Sequence, residues 1–301
     1  MKRRWIRLVV SAGIVAGLVW WTNAAQVLEH LFTLNLGWIG ISILAVTFAT
    51  LLMALRWQLV ARALHVRFDY PFALREYYLA QLINSAVPGG VTGDITRAVR
   101  TRKQSDMKRA AKSVIAERML GQIAMVSLLM FGCLVALLWD RDFDRPALFW
   151  TVVLILGLIM AATYAVSRSK SSVGKFLDFA LQLQLRPSFL ALGIGTTAGL
   201  ILGFYAAARA TGIIIPVQAL AMIVPLILCA MLIPVSIGGL GWREGAAAAL
   251  FPIFGAPTSA GVAAGLAYGA VMLISTLPAV LILVRQKQSA TRSSTGKSYS
   301  P

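Results

Sequence analysis

Between Ile233 and Phe251 the chain reads IPVSIGGLGWREGAAAALF, which places Pro234, Gly238, Gly239, Gly241 and an adjacent Arg243–Glu244 pair inside one of its longest apolar regions. In hydrocarbon every backbone N–H and C=O has to be satisfied within the protein, so a lipid-exposed break of this kind is not viable. Irregular backbone at that depth survives where it is buried in protein or lines a wet cavity, and an ion pair there marks a functional site by default. The stretch is therefore expected to line a polar cavity of a membrane protein.

Composition supports that class. The 301 residues are 58% hydrophobic and only 13% charged, against roughly 25% charged for a soluble domain. Apolar runs near the ~20 residues that cross a bilayer recur along the chain. The expected fold is all-α and polytopic, with about six full transmembrane helices: Leu8–Trp21, Gly37–Leu55, Met119–Trp139, Ala147–Val166, Phe189–Ala208 and Ser259–Val284. The first could be a signal peptide, but its closing Trp20 and Trp21 read better as an interfacial anchor of a retained span. Residues 22–36 read as a short loop, and GKFLDFALQLQLR as an amphipathic piece lying in the interface. Residues 1–287 are expected to form a single membrane domain, and 288–301, rich in Ser, Thr and Lys, a disordered basic tail. Cys133 and Cys229 are too far apart for a metal motif and read as small buried hydrophobes.

A second break precedes the first in the chain. FALREYYLAQLINSAVPGGVTGDITRAVRTRK starts as a helix with Tyr77, Gln81, Asn84 and Ser85 on one face and stops at Pro88-Gly89-Gly90. A short polar helix restarts near Asp94 and carries Arg97 and Arg100 on one face. If both breaks are re-entrant hairpins, all but four of the 28 Lys and Arg fall on one side of the membrane; the exceptions are Arg141, Arg145, Arg209 and Arg243. The positive-inside rule then puts both termini in the cytoplasm, of an inner (plasma) membrane. The net charge of +17 is thereby a signature of topology and anionic lipid, and nucleic acid is excluded as a partner. The two breaks enter from opposite sides, as PGGVTGDITR and PVSIGGLGWRE. Such an inverted pseudo-repeat of interrupted helices points to a transporter's central site.

The chemistry of these turns suits an anion. Glycine-rich turns leave successive backbone N–H groups free, and the following helix N-terminus adds partial positive charge. Arg97 and Arg100 near the first turn and Arg243 at the second offer forked donors for phosphate; Asp94, three residues before Arg97, Glu117 beside Arg118, and Glu244 are placed to hold arginines in the unliganded state. The competing readings are plain: glycines serve helix packing, Arg97 and Arg118 serve as interfacial anchors, and Gln81, Asn84 and Ser85 make ordinary interhelical hydrogen bonds. Arg100 reads as solvated or on lipid head groups, and Arg243–Glu244, flanked by apolar sequence, as a buried functional pair. No catalytic residue, metal site or cofactor is expected. Asp140, Asp142 and Asp144 form a DxDxD on a loop neutralised by Arg141 and Arg145; His65 and Asp69 miss the acyltransferase spacing by one residue; and a P-loop is missing.

At GGVTGDITR, VIAERMLGQ and PVSIGGLGWREGAAAALF the chain resembles the lysylphosphatidylglycerol synthase transmembrane-region family of flippase-like membrane proteins. The resemblance covers nearly all of residues 1–287. It implies functional roles for Gly89, Gly90, Gly93, Asp94 and Arg97, for Glu117 and Arg118, and for Pro234, Gly238, Gly239, Gly241, Arg243, Glu244 and Gly245. It also implies a lipid substrate: members include the flippase half of proteins that make aminoacylated phosphatidylglycerol, and others linked to hopanoid or polyprenyl-glycan lipids. No soluble aminoacyltransferase domain accompanies these residues, so lipid aminoacylation is not expected. The leading expectation is a flippase for an anionic or polyprenyl-phosphate lipid, working alone, as a homo-oligomer or beside a partner synthase. A membrane glycosyltransferase or lipid-modifying enzyme, which would need Asp140 or Asp142, and a non-catalytic assembly partner are the alternatives. The topology is tested by reporters fused after Pro301: a fluorescent protein that folds only in the cytoplasm is expected to glow, and a phosphatase active only outside to stay silent. The reverse pattern would invert the assignment.

Overall fold

The computed structural model describes residues 24–87, 91–102, 104–139, 146–231 and 239–284, together with 13, 17, 20 and 22; the side chains of 135–139, 146–149 and 218 are excepted. Most of the expected first span, the Pro88-Gly89-Gly90 turn, Asp140–Asp144, Pro234, Gly238 and the tail from 285 lie outside the described residues.

The described residues are all-helical. In chain order the helices are α1 (Ala24–Phe32), α2 (Leu36–Ala63), α3 (Tyr70–Ala86), α4 (Thr92–Thr101), α5 (Met107–Trp139), α6 (Pro146–Ser167), α7 (Ser172–Gln184), α8 (Pro187–Ala210), α9 (Val217–Ala230), α10 (Trp242–Leu250) and α11 (Thr258–Ser275). A single 3-10 turn, Phe251–Phe254, follows α10. Five helical segments are long and apolar enough to cross a membrane: Leu36–Ala63, Met107–Leu134, Trp150–Ser167, Pro187–Ala210 and Thr258–Val284. The chain is a multi-pass membrane protein.

Local sequence sets the helix starts. Asn35 caps α2, its Oδ1 accepting from the N–H groups of Gly37 at 3.0 Å and Trp38 at 3.3 Å. Asp69 caps α3 through Phe72 N–H at 3.3 Å, with Pro71 in the first turn. Ser171 caps α7 through Gly174 N–H. Asp106 accepts from Arg109 N–H just before α5, and that backbone bond holds its carboxyl below the ordinary carboxylate range.

Three readings from sequence are corrected. Residues 22–36 are not simply a loop. They contain α1, whose buried Val27 packs with Ala248, Val262 and Ala263. The second span runs past Leu55 to Ala63, and the third begins at Met107 rather than Met119. Hydropathy ends both spans at charged residues that, in the fold, satisfy one another inside the bundle.

The centre of the fold is the crossing of α2 and α8. Gly199 and Gly203 on α8 face Ala45, Val46 and Ala49 on α2, and Ser42 Oγ donates to Gly203 O at 2.6 Å. Close approach through small residues is the normal way membrane helices pack, since lipid supplies no hydrophobic drive between them. On one flank α3 and α4 form a hairpin against α2 and α5. On the other, α9 and α10 lie against α5, α8 and α11. Pro225 falls inside α9, and α6 sits at the periphery, with 11% of its spanning window buried.

Gly261 on α11 packs against α10 so closely that a Cβ would lie 2.6 Å from the Ala247 carbonyl carbon. Gly261→Ala is expected to destabilise by about 1–3 kcal/mol through overpacking. The check is a thermal melt of the purified protein in detergent, with an unchanged midpoint contradicting the contact.

Candidate functional site

A cavity of about 530 Å³ opens between the two interrupted segments, within the ~300–1,000 Å³ range of ligand pockets. Gln81, Asn84 and Ser85 of α3 and Val91 line it on one flank, Gly239, Leu240 and Arg243 on the other. The described edges of both breaks thus reach one common space, with α2, α5, α8, α9 and α11 contributing to the remaining wall.

The charged groups form a chain. Glu117 of α5, 1% exposed, receives Arg56 Nη2 at 2.8 Å on Oε1 and Arg97 Nη2 at 3.3 Å on Oε2. Tyr77 donates its hydroxyl to the same carboxylate at 3.3 Å. Arg97 also pairs with Asp94 at 3.1 Å, and Asp94 in turn with Arg118. The Arg97 guanidinium lies between two rings, 4.5 Å from the centroids of both Trp57 and Tyr77. A desolvated cation–π contact is worth about 2 kcal/mol. Trp57 is itself fixed by donating Nε1–H to Ser113 Oγ at 3.2 Å. Burying these charges is tolerable because each has an opposite partner and further hydrogen bonds.

Gly93 is what brings Asp94 and Arg97 to that chain. A Cβ at Gly93 would run into the carbonyl of Ala80, so only glycine lets α4 close onto α3. Asn84 completes the junction: its Oδ1 accepts from Gly93 N–H at 2.7 Å and its Nδ2 donates to Asp94 at 3.1 Å. Gln81 Nε2 donates to Thr50 Oγ1 at 3.2 Å, so both amides bond between segments and also face the cavity.

The second turn is built differently. Gly239 and Gly241 adopt φ of +81° and +92°, which L side chains rarely adopt. Glu244, fully buried, accepts from Gly241 N–H at 2.6 Å and closes the helix start, and it pairs with Arg243. Gly265 on α11 lies against Glu244 and Gly269 against the Arg243 guanidinium, with Tyr268 between them 5.9 Å from that guanidinium.

Of the sequence-derived residues, Gln81, Asn84, Ser85, Glu117, Arg118, Gly239 and Arg243 line the cavity, while Gly93, Asp94, Arg97, Gly241 and Glu244 stand behind it. Gly89, Gly90 and Gly238 lie outside the described residues. Asp94–Arg97 and Arg243–Glu244 pair as the sequence spacing suggests, while Glu117 serves Arg56 and Arg97 and its neighbour Arg118 goes to Asp94. Arg100 is not merely solvated, since its Nε lies 2.7 Å from Glu76, a buried carboxylate that also holds Arg75 at 3.0 Å. Arg56, Trp57, Glu76, Thr196 and Tyr268 were missed. Arg56 had a usable signal, because the apolar pattern resumes beyond it at Leu59, Val60 and Ala61.

The family model of the lysylphosphatidylglycerol synthase transmembrane region matches residues 4–279. The chain belongs to that family. A UPF0104 membrane protein from Pyrococcus horikoshii is 22% identical over 139 residues, which are 45% of this chain and 42% of that relative. The matched segment thus spans less than half the length of the curated relative. For this family member the buried chain of charges makes a direct forecast. Glu117→Gln leaves Arg56 and Arg97 without their shared anion and is expected to cost about 3–5 kcal/mol. It should appear as a sharply lowered melting temperature on size-exclusion chromatography of heated samples, whereas Asp106→Asn at the α5 start should move it little.

Proposed function

We propose that the protein is a lipid transporter, a flippase that moves an anionic or polyprenyl-phosphate lipid between leaflets through the cavity bounded by the two interrupted helical segments. The observation that carries this reading is that flanks of two glycine-rich breaks line one space holding Arg56, Arg118 and Arg243. Arginine forks recognise phosphate bidentately, and the largely apolar remainder of the wall suits the adjoining acyl or prenyl chain. Broken helices meeting at a central site are the architecture by which many transporters alternate access.

In this reading the pairs Arg118–Asp94 and Arg243–Glu244 are closed in the unliganded protein. A lipid phosphate competes for their arginines from the two sides in turn. The protein sits in the inner (plasma) membrane with both termini cytoplasmic, acts by transport rather than covalent chemistry, and takes its cargo from, or passes it to, a partner synthase. The lysylphosphatidylglycerol synthases for which the family is named supply a precedent for such a pairing and leave this chain's own cargo to experiment.

The test is translocation of a fluorescent phosphatidylglycerol and of a polyprenyl phosphate in proteoliposomes. Arg243→Lys, which keeps a cation beside the buried Glu244 but loses the guanidinium fork, is expected to insert and to melt close to the parent while translocation falls at least about tenfold. Unchanged flipping in that variant would remove Arg243 from the pathway. Appearance of a new covalent lipid product would replace transport by an enzyme reading.

A further inference from the structure

The cavity carries a second layer of information in its unused hydrogen-bonding groups. Among the described residues, Arg56 Nη1, Thr196 Oγ1, Arg243 Nε, Tyr268 Oη and Ser275 Oγ are buried with no hydrogen-bond partner. These five, unlike the similarly unpartnered atoms of Glu76, Arg97, Gln184 and Arg209, belong to residues that line the cavity, and they come from α2, α8, α10 and α11. Each residue is more than nine-tenths buried, from Tyr268 at 0% to Ser275 at 5% exposed. Leaving such groups unsatisfied costs about 1–3 kcal/mol each, so five on one wall mark a place built for a ligand rather than a packing accident.

The character of the wall decides the ligand's charge. Two of the five groups are guanidinium N–H donors, which cannot accept, and three are hydroxyls able to donate. Glu117 is the one carboxylate on the described wall, and both its oxygens are taken by Arg56, Arg97 and Tyr77. Asp94 and Glu244 stand off the wall and are occupied by Arg97 and Arg118, and by Arg243 and Gly241 N–H. A phosphate oxyanion that reaches these groups through small side-chain shifts meets donors and no free carboxylate. A bound ammonium meets arginines and no available carboxylate.

We propose that Arg56, Thr196, Arg243, Tyr268 and Ser275 form a phosphate-ester site that admits head groups of net negative charge and discriminates against head groups bearing ammonium, aminoacylated lipids included. This deepens the transport reading by naming its cargo class, and rests on that reading only for what the site is used for. Its chemistry is that of a phosphate ester, whether lipid-borne or free.

The deciding measurement is binding to the full-length protein in nanodiscs, read by native mass spectrometry, with translocation measured separately. Probes are phosphatidylglycerol, its lysyl ester, phosphatidylethanolamine and soluble glycerol 3-phosphate. Phosphatidylglycerol is expected to bind saturably, and the lysyl ester and phosphatidylethanolamine at least about tenfold more weakly, on the Coulomb scale of one to two unit charges near arginine. Tyr268→Phe and Ser275→Ala, which remove single hydroxyls and leave every ion pair intact, are each expected to weaken phosphatidylglycerol binding about tenfold, the worth of a hydrogen bond to an anion. Thr196→Val serves as a third, independently placed variant. Equal binding of phosphatidylglycerol and its lysyl ester, or full affinity in all three variants, would overturn the site. So would the lack of saturable binding by any anionic probe. Displacement of the lipid by glycerol 3-phosphate at matching concentration keeps the site and assigns it to a free phosphate ester. Discrimination in binding without translocation of any lipid keeps the site and removes the transport function.

Discussion

One carboxylate organises the membrane-embedded half of this protein. Glu117 stands on α5, yet the groups that neutralise it come from α2, α3 and α4: Arg56, Tyr77 and Arg97. None of the three could be left in hydrocarbon alone. Together they tie the hairpin of α3 and α4 to the two spans beside it. Trp57 and Tyr77 extend the same logic by each placing a ring 4.5 Å from the Arg97 guanidinium. The hairpin has little apolar surface of its own on α4, whose inner face is Gly93, Asp94, Arg97, Ala98 and Thr101. Its position depends on electrostatics that work only when every partner is present.

The two interrupted segments solve the same problem in different ways. In the first, backbone close to the break is satisfied by the Asn84 amide, and the charges beyond it belong to a network spread over four helices. In the second, Glu244 turns back on its own helix start, and glycines in the left-handed region make the turn. The pseudo-symmetry visible in the chain therefore concerns placement about the cavity more than shared bonding. In both arrangements arginine reaches the cavity, Arg56 and Arg118 in the first and Arg243 in the second, while Glu117, the one carboxylate on the described wall, is already neutralised, which gives the space its positive character.

Much of this was legible from residues alone. Apolar runs give the spans, and the two glycine-rich breaks point to segments whose described edges line one cavity. Span ends were less legible, because a hydropathy window treats Arg56 and Glu117 as termini when each is the reason the other can lie inside. Pair choice at Glu117 and Arg118 was not legible either. Glu117 and Arg118 are adjacent in sequence but leave α5 about 100° apart, so one faces the buried cluster and the other Asp94. Thr196, Tyr268 and Ser275 carry no local signature, since hydroxyl residues are ordinary in membrane helices and only the tertiary fold sets them around one space.

The glycines of α11 have a mechanical consequence. Gly261, Gly265 and Gly269 recur every four residues, and against them lie Ala247, Glu244 and Arg243 in that order. They form a row of notches engaged by successive teeth of α10. At ~1.5 Å of rise per residue the notches are about 6 Å apart. A Cβ at any of the three would press on α10, so the row holds the two helices at close range. Any displacement of Arg243 relative to α11 has to take its guanidinium out of the space that Gly269 leaves open.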